Sequence, residues 1–450
     1  MTSLLTDWSC PTEYPCGRYA GLRPLVSFLV GLLILGCLAQ AQAQAQAQAE
    51  ETPTLDALVW QYYDAADSQE AAELLNRVLG DPRTSLAAVS EVFRRGRPYG
   101  AQPTGAQADI PLTLQGRRYG YSLAVPTDYD PSRAYGLVVC LHGAGFTGEA
   151  YLDRWHGRLG DRYLLACPTY SMGAWWTRSA EALVLATIRD VTARYHVDPD
   201  RVFLTGMSNG GIGAWIIGMH HADRFAGLAP MASGIDDVLY PFLANLKHTP
   251  VYVIHGAKDQ VMPVRLSREV SEELTKLGYD VVYREHDREH PMAGGHYFPK
   301  EELPDLVAWV DQRRRGPLPD SVVLVRDATH LGTMSWVRID ATDRIAAFAE
   351  NLVEGSDDLI KGKVFAKLLA TRSAPDKVEV AAAHVQRYTL FFSDDAMDES
   401  RPIVVTTNGR LSFEGVLTPS VDTMLRQARV RQDTRRLFPY QVTIQISAAP

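Results

Sequence analysis

Residues 202–217 read Val-Phe-Leu-Thr-Gly-Met-Ser-Asn-Gly-Gly-Ile-Gly-Ala-Trp-Ile-Ile. An apolar run of strand type leads into a G-x-S-x-G turn, and an apolar helical segment opening on small residues follows. A turn of this kind is too tight for bulky flanking side chains, and it lifts the serine hydroxyl above the sheet. The pentapeptide alone would arise by chance roughly 0.1–0.2 times in a chain of this length. Its strand–turn–helix context therefore carries the assignment of Ser208 as candidate nucleophile.

A serine hydroxyl barely ionises at neutral pH, so it needs a base, and the base needs an orienting carboxylate. Val251-Tyr252-Val253-Ile254-His255-Gly256 reads as a strand and turn, and places Asp259 on the loop at the strand's carboxyl end. Asp236 and Asp237, after the preceding strand, are the weaker alternatives. For the base, the loop after Val281–Glu285 offers His286, His290 and His296. Gly294-Gly295-His296 is favoured because small residues let the loop fold the imidazole back towards Ser208.

Leu141-His142-Gly143-Ala144-Gly145 ends the strand-like run Leu137–Leu141. A Gly-rich turn there lets a backbone amide approach the oxyanion of a tetrahedral intermediate. The N–H groups of Ala144 and Asn209 are the candidate donors, with Gly145 as a fallback for the first. His142 is expected to hold the loop by a side-chain hydrogen bond. Trp175 and Trp176 lie on the loop after Tyr163–Cys167, where ligands of open sheets bind. They are candidates for substrate stacking or, equally, for packing of the loop. No ligand spacing suggests a catalytic metal, and the Gly-rich turns lack a P-loop Lys and an acidic ribose partner, so no cofactor is expected.

Outward from these motifs, strand-like runs alternate with helical stretches at Ala180–Tyr195, Gly211–His221 and Ser267–Leu277 and near Leu303–Arg313. That alternation predicts a mostly parallel sheet with helices on both faces over residues 101–315. Residues 54–100 read as helices. Gly316-Pro317-Leu318-Pro319 is a linker, and residues 318–450 turn to strands. These include Val322–Arg326, Met334–Ile339, Ile345–Ala349, Lys377–Ala381 and Tyr388–Phe392, with a hairpin at Asn408-Gly409 and one helix near Val421–Arg431. A β-sandwich-like accessory domain is expected there, able to contact a polysaccharide or polymer or simply to pack on the catalytic domain. Its Trp336, Tyr388, Phe391 and Phe392 sit at strand positions, which more often means core than platform.

The 450-residue chain is 46% hydrophobic and 22% charged, which excludes wholesale disorder. A net charge of −8 disfavours nucleic acid, and no run of 18 apolar residues points to a multi-span membrane protein. Arg18 and Arg23 precede the apolar stretch Leu25–Leu38, which suits a signal peptide over residues 1–41. An Ala-Gln low-complexity linker follows over 42–53. Secretion or periplasmic export is expected, and Ile34-Leu35-Gly36-Cys37 is a candidate lipoprotein box that would anchor the chain at Cys37. Removal of the signal leaves Cys140 and Cys167, both inside apolar runs and expected to be reduced.

Leu-His-Gly-Ala-Gly, Gly-Met-Ser-Asn-Gly-Gly, His-Gly-Ala-Lys-Asp-Gln-Val-Met-Pro-Val and Gly-Gly-His, in this order over residues 110–315, resemble the α/β-hydrolase superfamily. Within it they look like the polyhydroxybutyrate-depolymerase and feruloyl-esterase branch of secreted esterases. The resemblance implies an α/β-hydrolase fold with a Ser208–His296–Asp259 triad cleaving a small-molecule or oligomeric carboxylic ester through an acyl-enzyme. Many members carry Cys where Ala144 stands, and the secreted depolymerases often add disulfides and a Thr-rich linker, both absent here. Two rivals stand beside the esterase: a serine peptidase of prolyl-oligopeptidase type, and a hydrolase-fold binding protein without activity.

Overall fold

Side chains of the strand Tyr135–Leu141 alternate between two apolar layers. Leu137, Val139 and Leu141 enter one cluster, and Val138 and Cys140 enter the other. A strand buried on both faces belongs at the middle of a covered parallel sheet, and that is where it lies. The computed structural model describes residues 53–348, 357–397 and 400–446. The expected signal peptide, the Ala-Gln tract and Cys37 lie outside the described residues.

The main sheet has eight strands: β1 (Gly105–Leu114), β2 (Arg117–Val125), β3 (Tyr135–Leu141), β4 (Leu164–Thr169), β5 (Val197–Met207), β6 (Gly227–Met231), β7 (Val251–Gly256) and β8 (Val281–His286). Their lateral order is β1-β2-β4-β3-β5-β6-β7-β8. From β4 to β8 every pairing is parallel. β1 and β2 add an antiparallel margin. Ahead of this sheet come the helices α1 (Leu55–Asp64), α2 (Ser68–Gly80) and α3 (Leu86–Arg95). Within it come α4 (Gly148–Leu159), α5 (Arg178–Arg194), α6 (Asn209–His220), α7 (Val264–Lys276) and α8 (Leu303–Gln312). α4 and α8 pack on the face of Val138, while α5, α6 and α7 pack on the face of Leu137. This is the expected α/β-hydrolase architecture. Cys140 and Cys167 are buried free thiols.

Beyond α8 come β9 (Ser321–Arg326), β10 (Thr333–Met334), β11 (Val337–Thr342), the short helix α9 (Asp357–Lys361), β12 (Ala366–Ala374), β13 (Lys377–Ala383), β14 (Val385–Phe392), β15 (Ile403–Thr407), β16 (Arg410–Gly415), α10 (Val421–Arg431) and β17 (Tyr440–Gln445). They form two sheets, β10-β11-β14-β17 and β16-β15-β13-β12-β9. Asn408 and Gly409 both have positive φ, as a two-residue hairpin turn of this hand requires. Trp336, Tyr388, Phe391 and Phe392 are all fully buried. These aromatic rings fill the interior and offer no platform to a polymer.

One expected strand is absent and two strands were not expected. Ile345–Phe348 form no strand: the Ala346 N–H donates to Val364 and its carbonyl accepts from Ala328, so this backbone closes a loop. β1 was not expected because an edge strand with one wet face carries few apolar residues, and its burial only alternates between partial and none. β12 was also not expected, since Ala and Lys are weak strand formers. It is held by ladders on both sides, to β9 and β13.

The first three helices and the last helix of the described residues meet. Met424, Leu425 and Ala428 of α10 share one apolar cluster with Leu58, Val59, Leu75, Val78 and Phe93 of α1–α3. Arg429 donates to the Ala65 carbonyl. A buried Asn245 bonds both the N–H and the carbonyl of Val325 on β9, and also the Met219 carbonyl at the end of α6. The described residues from Leu55 onward are accordingly one packed unit. Among the described residues, no helix is long and apolar enough to cross a membrane.

Because Leu425 is fully buried in the helical cluster, Leu425→Ala should cost about 2–5 kcal/mol in urea unfolding. Val430→Ala on the exposed side of the same helix should stay within roughly 0.5 kcal/mol.

Candidate active site

The turn between β5 and α6 puts Ser208 at φ 60°, ψ −123°, a conformation that costs a non-glycine residue energy. Its neighbours make this possible. A Cβ on Gly206 would lie 2.2 Å from the Gly210 carbonyl oxygen, and one on Gly210 would lie 2.0 Å from the Leu141 carbonyl oxygen. Only glycine allows the strand, the turn and the helix to approach so closely. The Ser208 N–H donates to the Met231 carbonyl at the end of β6, which ties the turn to the sheet.

Asp259 and His296 follow β7 and β8, whose carboxyl ends lie at the same sheet edge as that of β5. His296 Nδ1 lies 2.7 Å from Asp259 Oδ2. The other two histidines of that loop bond elsewhere: buried His286 donates from Nε2 to the Tyr297 carbonyl, and His290 Nδ1 accepts from the Met292 N–H. The alternative acids are also engaged, Asp236 as a cap on Val238 and Asp237 with Lys363. The structure thus brings together the two favoured residues.

A further residue, which the sequence reading did not use, completes the acid's surroundings. His255 is buried at the end of β7, and its Nε2 donates to Asp259 Oδ2 at 3.1 Å and to the Met262 carbonyl at 3.0 Å. Its Nδ1 pairs with Ser267, whose hydroxyl contacts the Ser233 carbonyl. The N–H groups of Val261 and Met262 donate to Asp259 Oδ1, both at 2.8 Å. Burial raises the carboxyl's pKa, but the bonds from His255, His296, Met262 and Val261 outweigh it and hold the group well below the usual carboxylate range. His-Gly-Ala-Lys-Asp was the available signal, since a strand-end His four residues before the acid can reach back to it.

Opposite the turn, a methyl on Gly143 would come 3.5 Å from the Ser208 Cβ, so the loop after β3 lies against the serine. His142 holds that loop from beneath, donating from Nδ1 to the Gly143 carbonyl and accepting at Nε2 from the Tyr170 N–H. Those bonds specify a neutral ring, and burial lowers its pKa accordingly. Ala144 is exposed on the loop, and Asn209 opens α6, where N–H groups have no carbonyl one turn behind them.

The two tryptophans separate. Trp175 is fully buried, donates from its indole to the His142 carbonyl and packs on the His142 ring, so it props the loop and offers no face to a ligand. Trp176 is 48% exposed. Phe146, Met172, Val261 and Met292 are also exposed, on the loops after β3, β4, β7 and β8. Apolar side chains therefore ring the edge of the sheet that carries Ser208.

The carboxyl of Asp259 is held low, so folding favours its proton-free form. That stabilisation is complete above about pH 4 and fades as pH falls towards the folded value. The gap in urea midpoint between the native chain and Asp259→Asn should be present at pH 7 and narrow below about pH 4; a constant gap down to pH 3 would contradict this. Gly210→Ala should lower stability by about 1–3 kcal/mol or more through its clash with Leu141, read by thermal unfolding.

No protein-family model matches the chain. It is 29% identical to acyl-protein thioesterase 1 of Gibberella zeae over 118 residues, 25% of this chain and 48% of that protein. It is 27% identical to a probable feruloyl esterase C of Aspergillus terreus over 188 residues, 36% of this chain and 64% of that protein. It is 32% identical to poly(3-hydroxyalkanoate) depolymerase C of Paucimonas lemoignei over 114 residues, 22% of this chain and 28% of that protein. The chain thus spans less than two thirds of the length of each of these relatives. Among solved structures, a thermostable esterase matches at TM-score 0.39 and 24% identity, over 46% of this chain and 64% of the other. The sequence is similar, then, to proteins named for feruloyl esterase and polyester depolymerase activity, within the fold described above.

Proposed function

We propose that this chain is a secreted serine hydrolase of carboxylic esters. The observation that carries the reading is the 2.7 Å pairing of His296 Nδ1 with the buried carboxylate of Asp259, at the sheet edge where Ser208 tops its strained turn. The similarity to esterases, a thioesterase and a depolymerase supports the same reaction class.

In this mechanism Asp259 accepts a hydrogen bond from the N–H at His296 Nδ1, which fixes the tautomer with Nε2 as the base. His296 takes the Ser208 proton as Oγ attacks the ester carbonyl. The N–H groups of Ala144 and Asn209 stabilise the oxyanion. His296 then protonates the departing alcohol, and a water activated by the same imidazole releases the acid from Ser208. His255 holds the far side of the carboxylate and acts by positioning it. The exposed apolar side chains of Phe146, Met172, Trp176, Val261 and Met292 favour an acyl group or oligomer with a broad apolar surface. Export through residues 1–41 is part of the proposal and rests on the charged and apolar pattern of that segment.

Ser208→Ala should reduce hydrolysis of p-nitrophenyl butyrate by about 10⁴-fold or more with the unfolding midpoint unchanged. Unaltered turnover would overturn the reading. Feruloyl, acetyl-sugar and hydroxybutyrate-oligomer esters assayed on the native chain would rank the acyl groups.

A further inference from the structure

The loop after β4 is tied down onto the loop after β3 through backbone groups. The Tyr170 N–H donates to His142 Nε2, and the Trp175 indole donates to the His142 carbonyl. Between them the tight turn Ser171–Gly173 is closed by the Gly173 N–H, which donates to the Tyr170 carbonyl. A Cβ on Gly173 would lie 3.1 Å from the His142 carbonyl oxygen and 3.2 Å from that of Gly143. At φ 66° and in so close an approach, a residue without a side chain is well placed. Met172 beside it carries a side chain and still stands at φ 54°, ψ 4°, in the left-handed region that costs such a residue energy. It is 66% exposed, so burial of the thioether does not offset that cost.

One side chain from outside the loop reaches the strained residue. Asn209 Nδ2 donates to the Met172 carbonyl at 3.2 Å, across 37 residues of sequence. A carbonyl only accepts, so the NH₂ end of the amide faces Met172. Asn209 opens α6 directly after Ser208. Asparagine is a weaker helix former than alanine or the long unbranched residues. Among the described residues its side chain bonds to Met172 and to no group of its own helix. The N–H of this residue belongs to the proposed oxyanion site, while its side chain fixes the neighbouring loop. The bond sets the Met172 backbone beside the residue that follows the nucleophile, and Met172 shares the exposed apolar rim with Trp176 of the same loop. Strained residues persist where their surroundings over-determine them, and they concentrate at ligand clamps and active sites. An unbranched, polarisable thioether adapts to apolar groups of different shape.

We propose that the Asn209 side chain is a positioning residue, holding Met172 so that its thioether contacts the apolar chain next to the ester carbonyl, and that Met172 sets the preference for that chain. The inference rests on the ester-hydrolase reading above. Replacing the Asn209 side chain leaves its backbone N–H in place, so the two roles separate by mutation.

The test assays the full chain on two ester series: p-nitrophenyl acetate, butyrate and hexanoate, and the methyl, butyl and hexyl esters of butyric acid. The quantity read is kcat/KM for the longest chain relative to the shortest. Met172→Ala keeps the backbone conformation and removes the thioether; it should lower that ratio roughly 3–10-fold in one series, through KM. The series affected tells whether the chain lies on the acyl or the alcohol side. Asn209→Ala should lower the same ratio roughly 2–10-fold. Added to Met172→Ala it should change the ratio less than about twofold, because no thioether is left to position. Any loss at the oxyanion falls on all chain lengths alike and cancels in the ratio. An unchanged ratio in Met172→Ala, or effects that multiply in the double variant, would overturn the inference. Turnover that persists in Ser208→Ala would overturn the ester-hydrolase reading instead, which keeps the two failures apart. Should Asn209→Ala unfold, Met172→Ala on both series decides alone.

Discussion

Close backbone approach at Ser208 is the constraint on which the rest of the main sheet depends. The serine can hold φ 60° only because Gly206 and Gly210 let β5, α6 and the end of β3 come together without side chains between them. A strained residue of this kind costs about 1–3 kcal/mol and persists where its surroundings over-determine it. Here the buried strands β3, β6 and β7 do so, with the Ser208 N–H bonded to the Met231 carbonyl on the neighbouring strand. The apolar layers on both sheet faces thus stabilise the whole domain and hold one serine in its conformation.

Asp259 is the second fixed point. Two imidazoles and two backbone amides converge on one buried carboxylate. Each bond satisfies an oxygen lone pair that would otherwise be stranded away from water. The consequence for the proposed mechanism is positional: His296 meets an acceptor that cannot turn away, because His255 and the loop amides already hold it.

Much of this was legible along the chain. Glycines around Ser208 and before His296, and an acid directly after a buried strand, are local patterns imposed by tight turns at strand ends. Other parts were illegible for physical reasons. Trp175 and Trp176 are adjacent in sequence, yet one is buried under His142 and the other is half exposed. Nothing local distinguishes two neighbouring aromatic residues on a loop. β1 hides because its outer face is solvated, and β12 because partners on both sides supply what its own residues lack.

Local sequence alone therefore determined the α/β alternation, the tight turn at Ser208 and the positions of Asp259 and His296 after strand ends, since each is written within a few residues by periodicity or glycine placement. Only tertiary structure decided how the segments flanking the main sheet are used. The helices before the sheet bury their apolar faces against α10 near the far terminus, and the aromatic rings of the C-terminal strands turn inward to fill their own core. It also decided that Asp259 has two histidines and that the Asn209 side chain meets Met172. Such contacts depend on which surfaces bury each other, and burial is settled over the whole chain, not within any short stretch of it.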